Sequence, residues 1–335
     1  MSRIAVMGSG AWGTALAISL GRRGGHDIRL WSWAKDVAAT LREQRENTHF
    51  LPGFRIPPAV EIFEDAGEAL RDAEIVVSVT PSQFVRSSYE QFAPHLRAGQ
   101  MLVSATKGIE DESCRRMSEV IGEVLAGRGL ELPIGVVSGP SFAQEVAAGA
   151  PTAVTIASAD ANLAARVQRE FSSGTLRLYT NDDVVGVELG GSLKNVIAIA
   201  AGIVSGLGLG FNSNAALITR GIAEITRLAV ACGGRRETLA GLSGVGDLVL
   251  TCTGSLSRNR TVGVGLGQGR ELGEILAGLE GQVAEGVRTT SAALGLARRH
   301  GVEMPIAEKV DEILMRRKAP ERAIEELMLR PGRDE

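Results

Sequence analysis

Along roughly the first half of the chain, short β-branched apolar runs alternate with stretches of helical texture, a pattern that predicts a parallel sheet with helices on both faces. An apolar strand ends at Gly8, and further strands are expected at Ile28–Trp31, Glu61–Phe63, Ile75–Val79, Met101–Ala105, Ile134–Val137, Ala153–Ala157 and Leu176–Tyr179. The first helix is expected to open at Thr14, and Asp65 to Glu68 has the spacing of a capping box for a later one. Asn181-Asp182-Asp183 breaks the alternation. Beyond it, Ala-, Leu- and Gly-rich helical texture runs from near Val184 almost to the end.

Between the first strand and the first helix lies Gly8-x-Gly10-x-x-Gly13. In such a turn one glycine permits the tight bend, one admits a pyrophosphate close to the backbone, and one lets helix and strand pack closely. The helix N-terminus then offers unpaired N–H groups to an anion. The expected architecture is therefore α/β, a Rossmann-type doubly wound sheet in a dinucleotide-binding domain (residues 1–180). An all-α domain for substrate binding and catalysis follows (residues 181–335).

Composition narrows the partners. A formal net charge of −3 argues against a surface built for nucleic acid or anionic lipid. Cys114, Cys232 and Cys252 are far apart, which suggests neither a disulfide framework nor a zinc cluster and fits a reducing, cytoplasmic setting. His26, His49, His95 and His300 have no metal-ligand spacing, so no metal is expected. The glycines of the first turn explain the apolar N-terminus without an export signal. The apolar stretch Val196–Phe211 is short for a membrane span and reads as a buried helix.

Ligands of open parallel sheets bind beyond the carboxyl ends of the strands. That places Gly8 to Gly13, Thr80-Pro81-Ser82-Gln83, Thr106-Lys107-Gly108 and Ser138-Gly139-Pro140-Ser141 around one crevice. The chain takes its positive charge mostly from arginine, so its few lysines stand out. Lys107 sits at a strand end, and Lys194 sits in an apolar helix with glycines one turn before it. Lys194 reads either as a general acid or as a structural lysine paired with Glu188. Asp247, among small and apolar residues, either orients a lysine or caps a helix. Ser257-Arg258-Asn259-Arg260 reads as a phosphate grip or as an exposed polar loop. Gly202 to Gly210 could pack between subunits or within one.

Taken in order, these segments resemble the bacterial type of NAD(P)-dependent glycerol-3-phosphate dehydrogenase over nearly the whole chain. The resemblance rests on G-S-G-A-W-G-T-A-L-A, N-T-H-F-L-P-G, Pro81-Ser82-Gln83, T-K-G-I-E and S-G-P-S-F-A-Q-E-V-A-A-G-A-P-T-A-V. It continues in E-L-G-G-S-L-K-N-V-I-A-I-A-A-G-I, A-A-L-I-T-R-G-I-A-E-I, G-V-G-D-L-V-L-T-C-T, L-S-R-N-R and A-E-G-V-R-T-T. It implies reduction of dihydroxyacetone phosphate to sn-glycerol 3-phosphate for glycerophospholipid synthesis, with NAD or NADP and no metal, by a cytoplasmic homodimer. By the same resemblance Lys194 donates and accepts the proton, with Lys107 and Asp247 beside it in the catalytic set. Cofactor contacts fall to Gly8, Gly10, Ala11, Trp12, Gly13, Trp33, Pro81, Lys107, Ala143, Arg258, Val283 and Glu285. Lys107, Gly139, Ser141, Lys194, Asn195, Asp247, Ser257, Arg258 and Asn259 would hold the substrate.

Two positions depart from the family. Ala11 stands where serine is common, and Trp33 stands where arginine is common, with Lys35 the cation close by; Trp33 tilts the expectation towards NADH. The residues also leave open a related dehydrogenase of a 3-hydroxy acid or another phosphorylated carbonyl compound, and a nucleotide sensor without chemistry.

Overall fold

The computed structural model describes residues 1–279 and 281–332. The chain divides into two compact units: Met1–Lys107 with Arg116–Glu188, and Gly108–Arg115 with the residues from Leu189 onward. The division falls inside the helix Val184–Gly206, later than the expected boundary at 180/181, and the excursion at 108–115 had no counterpart in the sequence reading.

The first unit is built on ten strands: β1 (Ser2–Met7), β2 (His26–Trp31), β3 (Glu46–Asn47), β4 (Leu51–Arg55), β5 (Val60–Phe63), β6 (Ile75–Ser78), β7 (Met101–Ser104), β8 (Ile134–Ser138), β9 (Thr152–Ser158) and β10 (Leu176–Asn181). Eight of them form one sheet in the order β10-β9-β8-β7-β6-β1-β2-β5. Successive side chains of a strand point to opposite faces. Accordingly Ile4 and Val6 enter one core cluster with Ile28, Leu30 and Val77, while Ala5 and Met7 enter another with Trp31, Val76 and Leu102. Burial on both faces is why these strands read as continuous apolar runs instead of alternating ones.

The order from β5 through β2 and β1 to β6, β7 and β8 is the doubly wound arrangement, and it reverses direction between β1 and β6. One pairing departs from the expected parallel sheet: β8 and β9 are antiparallel. Their connection runs through the helix Ala143–Ala148. The short ribbon of β3 and β4 was also not expected; it pairs Asn47 with Leu51. The Asp65 side chain caps the helix Ala66–Leu70 by accepting from the Glu68 N–H at 2.8 Å, in keeping with the spacing read from the sequence.

The helix Val184–Gly206, which continues into the second unit, takes in only part of the apolar stretch Val196–Phe211 expected as one buried helix: it ends at Gly206, and Phe211, 94% exposed, opens the next helix, Phe211–Ala231. Val184–Gly206 is long and apolar enough to cross a membrane, yet its most apolar window is wholly buried inside the protein. Of the glycines from 202 to 210, Gly202 packs within the unit. A Cβ on Gly202 would lie 2.1 Å from the Arg260 carbonyl oxygen, and one on Gly263 would lie 2.0 Å from that of Ile199. Val184–Gly206 and Arg258–Gly267 therefore cross backbone against backbone.

A buried carboxylate joins two other helices. Glu224, in Phe211–Ala231, is 1% exposed and accepts the N–H groups of Ile306 and Ala307, both at 3.0 Å, at the start of Pro305–Arg316. Burial pushes its pKa up to about 7, against the pull of those two bonds. A folded-state pKa above the unfolded value means the stabilising contribution is complete below the ordinary carboxylate range and is lost as pH rises through about 7. Relative to Glu224→Gln, the parent protein should lose up to about 3 kcal/mol between pH 4.5 and 8. Thermal unfolding of both proteins across that range checks this, and parallel curves would refute it.

Candidate active site

In the first unit the Gly-rich turn follows β1 at the point where the strand order reverses. Gly8 has φ +136°, and a Cβ there would lie 2.6 Å from the Val79 carbonyl oxygen; one on Gly13 would lie 1.9 Å from the Gly8 carbonyl oxygen. The fold itself demands these two glycines. Gly10 is different: its φ is −66°, open to any residue, and a Cβ there would meet nothing within 4 Å. The space over Gly10 is what close approach of a pyrophosphate requires, so the turn fits a dinucleotide.

The helix begins at Ala11, earlier than Thr14, because the Thr14 N–H already donates to the Gly10 carbonyl at 2.9 Å. Ala11 and Trp12 thus lie in its first turn, with Trp12 packed partly into the core. Pro81 follows β6 and leads into a short turn of helix, Ser82–Phe84. Trp33, just past β2, is 78% exposed, and Lys35 opens the next helix.

Lys107, Gly139 and Ser141 come together through one acceptor. The Gly139 carbonyl accepts from Lys107 Nζ at 3.0 Å and from the Ser141 hydroxyl at 2.9 Å. Ala143 is the first residue of the helix that follows. Glu188 does not pair with Lys194. It lies in the first unit, buried, where it accepts from Arg116 Nη1 at 2.6 Å, from the Ser118 N–H at 2.8 Å and from the Ser118 hydroxyl at 2.6 Å. Burial pushes its pKa up, with Arg116 opposing.

In the second unit, Lys194 is 6% exposed and Asp247 1%. The ammonium donates to Asp247 Oδ1 and, at 2.8 Å, to the Thr251 hydroxyl. That hydroxyl donates in turn to the Asp247 carbonyl at 2.6 Å. Of the two roles open to Asp247, orienting a lysine is the one its carboxylate takes. Thr251 was missed, although four residues after Asp247 on one helix is the spacing that puts two side chains on the same face.

Asn195, one residue on, accepts from Asn259 Nδ2 at 3.0 Å, and Asn259 Oδ1 accepts the Gly286 N–H at 2.9 Å. This ties three helices at the start of two of them, Arg258–Gly267 and Glu285–Arg299. Ser257 is the N-cap of the former, accepting from the Arg260 N–H at 3.2 Å. Arg258 opens that helix with Glu285 as a counter-charge. Val283 lies in the loop before Glu285.

A doubly wound sheet carrying a Gly-rich turn fitted to a dinucleotide, together with a helical unit that holds a buried lysine against a carboxylate, defines a nicotinamide-dependent oxidoreductase. Two family models match, described as NAD-dependent glycerol-3-phosphate dehydrogenase N-terminus (residues 3–164) and C-terminus (residues 183–325). A glycerol-3-phosphate dehydrogenase [NAD(P)+] of Acidobacterium capsulatum is 66% identical over the full length of both chains. One from Koribacter versatilis is 60% identical over 100% of this chain and 99% of its own. The crystal structure of glycerol-3-phosphate dehydrogenase from Coxiella burnetii superposes with a TM-score of 0.94 at 40% identity, covering 98% of this chain and 99% of that one. The chain belongs to the NAD-dependent glycerol-3-phosphate dehydrogenase family.

Proposed function

We propose that Lys194 is the general acid and base of a reversible hydride transfer that converts dihydroxyacetone phosphate, NAD(P)H and a proton to sn-glycerol 3-phosphate and NAD(P)+. The observation that carries this reading is the buried Lys194 ammonium, fixed by Asp247 and Thr251. The nicotinamide cofactor supplies the hydride when bound, held by the turn from Gly8 to Gly13 with Trp12, Pro81, Ala143, Val283 and Glu285 among its contacts. As hydride reaches the ketone carbon, negative charge develops on the oxygen. Lys194 stabilises that charge and delivers the proton, and a preorganised ammonium does so without reorganising during the reaction. Asp247 keeps the ammonium in place. Lys107 contacts cofactor and substrate, its position held by the Gly139 carbonyl.

Arg258 and Asn259, with Asn195, Ser257, Gly139 and Ser141, are assigned to the glycerol phosphate. Binding energy from the phosphate, remote from the reacting carbon, positions the ketone. A carbonyl compound without phosphate should therefore be a poor substrate, which sets this reading apart from a 3-hydroxy acid dehydrogenase. A supply of sn-glycerol 3-phosphate for phospholipid synthesis, a cytoplasmic location and a homodimer belong to the same proposal, on the strength of the family resemblance.

Trp33 gives the proposal a cofactor preference. An exposed indole offers no cation to a 2′-phosphate, so NADH should be used better than NADPH. The experiment is the oxidation of each by the purified protein, with and without dihydroxyacetone phosphate. Oxidation dependent on the phosphorylated ketone and faster with NADH is expected, and Trp33→Arg should raise kcat/KM for NADPH by about tenfold, one good charge contact. No oxidation with either cofactor by folded protein would end the reading. An unchanged NADPH value in Trp33→Arg would remove Trp33 from cofactor choice.

A further inference from the structure

The ribbon of β3 and β4 has no place in the doubly wound plan, yet its first strand carries a side chain directed at the cofactor turn. Asn47 is 2% exposed. Its Nδ2 donates to the Ser9 carbonyl at 2.7 Å and to the Thr14 hydroxyl at 2.8 Å, while its Oδ1 accepts the Phe50 N–H at 3.0 Å. The Thr14 hydroxyl donates to the same Ser9 carbonyl at 3.2 Å. On the side-chain side, the Ser9 hydroxyl donates to that of Ser32 at 2.8 Å, at the end of β2.

We infer that Asn47, acting with Thr14, is a positioning residue for the cofactor, setting the orientation of the Ser9–Gly10 peptide. In a trans peptide the carbonyl and the following N–H lie on opposite edges of one plane. Two donors on the Ser9 carbonyl hold it inward, which directs the Gly10 N–H outward, away from Asn47. Gly10 is the residue over which the structure leaves room for a pyrophosphate, so the bonds from Asn47 and Thr14 fix a donor before the cofactor arrives. Without them the peptide can rotate, because Gly10 has no side chain to restrict it, and binding must order it. The Phe50 bond adds a second consequence. It closes the turn between β3 and β4 on the same amide, so the ribbon and the cofactor turn are held by one side chain. The inference rests on the assignment of the pyrophosphate to this turn.

The test is NADH titration of the intact protein by nicotinamide fluorescence, with steady-state kinetics and thermal unfolding alongside, for four variants. Asn47→Asp keeps the acceptor for Phe50 but removes the donor to Ser9. Thr14→Val removes the hydroxyl at nearly constant volume, and Thr14→Ser restores it. Gly10→Ala reports on the turn itself. The Kd and KM for NADH should rise about tenfold in Asn47→Asp and in Thr14→Val, the factor carried by one well-placed hydrogen bond. KM for dihydroxyacetone phosphate and kcat at saturating NADH should hold, and Thr14→Ser should return NADH binding to within about twofold of the parent. A loss of kcat in proportion to lost folded protein, with NADH affinity intact, would make the residues structural only and overturn the inference. Unchanged NADH affinity in Asn47→Asp and Thr14→Val, with weakened binding in Gly10→Ala, would overturn it while leaving the cofactor assignment standing. Unchanged affinity in Gly10→Ala as well would overturn both. Thr14→Val and Thr14→Ser decide the matter should the aspartate variant not fold.

Discussion

Replacing Lys194 by methionine should lower kcat/KM for dihydroxyacetone phosphate by about 10³-fold, within the range for loss of a positioned general acid, while NADH binding stays near the parent value. The stability effect separates chemistry from packing. Lys194 is a buried counter-charge of Asp247, and removing one partner of a buried ion pair costs about 3–5 kcal/mol because the other charge is left without it. Adding Asp247→Asn to the Lys194→Met protein removes that charge, so the double variant should recover most of the lost stability and none of the lost turnover. Differential scanning calorimetry reads the first part, and NADH oxidation with saturating substrate reads the second. Turnover within tenfold of the parent in Lys194→Met would take the proton from Lys194. A double variant as unstable as the single one would mean that Asp247 is held by something other than this pair.

The second large effect is on stability, from a substitution without charge. Gly202→Ala should destabilise the protein by about 3 kcal/mol, the upper part of the range for overpacking. Its Cβ would lie 2.1 Å from the Arg260 carbonyl oxygen and 2.8 Å from Gly263 Cα, and a backbone cannot step aside as a flexible side chain can. The two helices must separate. One of them carries Lys194 and Asn195, and the other carries Arg258 and Asn259, whose amide reaches Asn195 at 3.0 Å. KM for dihydroxyacetone phosphate should therefore rise along with the fall in Tm. Gly273→Ala is the control: a Cβ there meets nothing within 4 Å in its helix, Leu272–Ala277, so alanine should leave Tm unchanged or raise it slightly. Equal Tm values for Gly202→Ala and the parent would refute the close crossing.

Much of this could be read from order along the chain. Strands such as Ile75–Ser78 announce themselves because a buried parallel strand is an unbroken apolar run, and Gly8, Gly10 and Gly13 mark the turn because their spacing matches a strand passing into a helix. The family resemblance likewise needs only the sequence of motifs. Local pattern also placed Lys194 in an apolar helix, where an ammonium calls for a partner. It did not say which partner.

That choice belonged to the tertiary structure. Glu188 is the nearer carboxylate in sequence, but its place in the fold gives it to Arg116 and Ser118, while Asp247, 53 residues away, meets the ammonium. A strand's side-chain pattern is the same whichever way it runs, so the antiparallel entry of β9 could not be read from it. Only the packed backbone separates the glycines at 202 and 263, required by crossing helices, from Gly10, required by nothing in the protein. The sequence by itself determined most of the main-sheet strands and the nucleotide turn, which depend on residues close together in the chain, and the family, which depends on the order of motifs along it. The partners of Lys194, the hold of Asn47 on Ser9 and the helix crossing were decided by the tertiary structure, because each depends on distance in space between residues whose separation in sequence carries no such information.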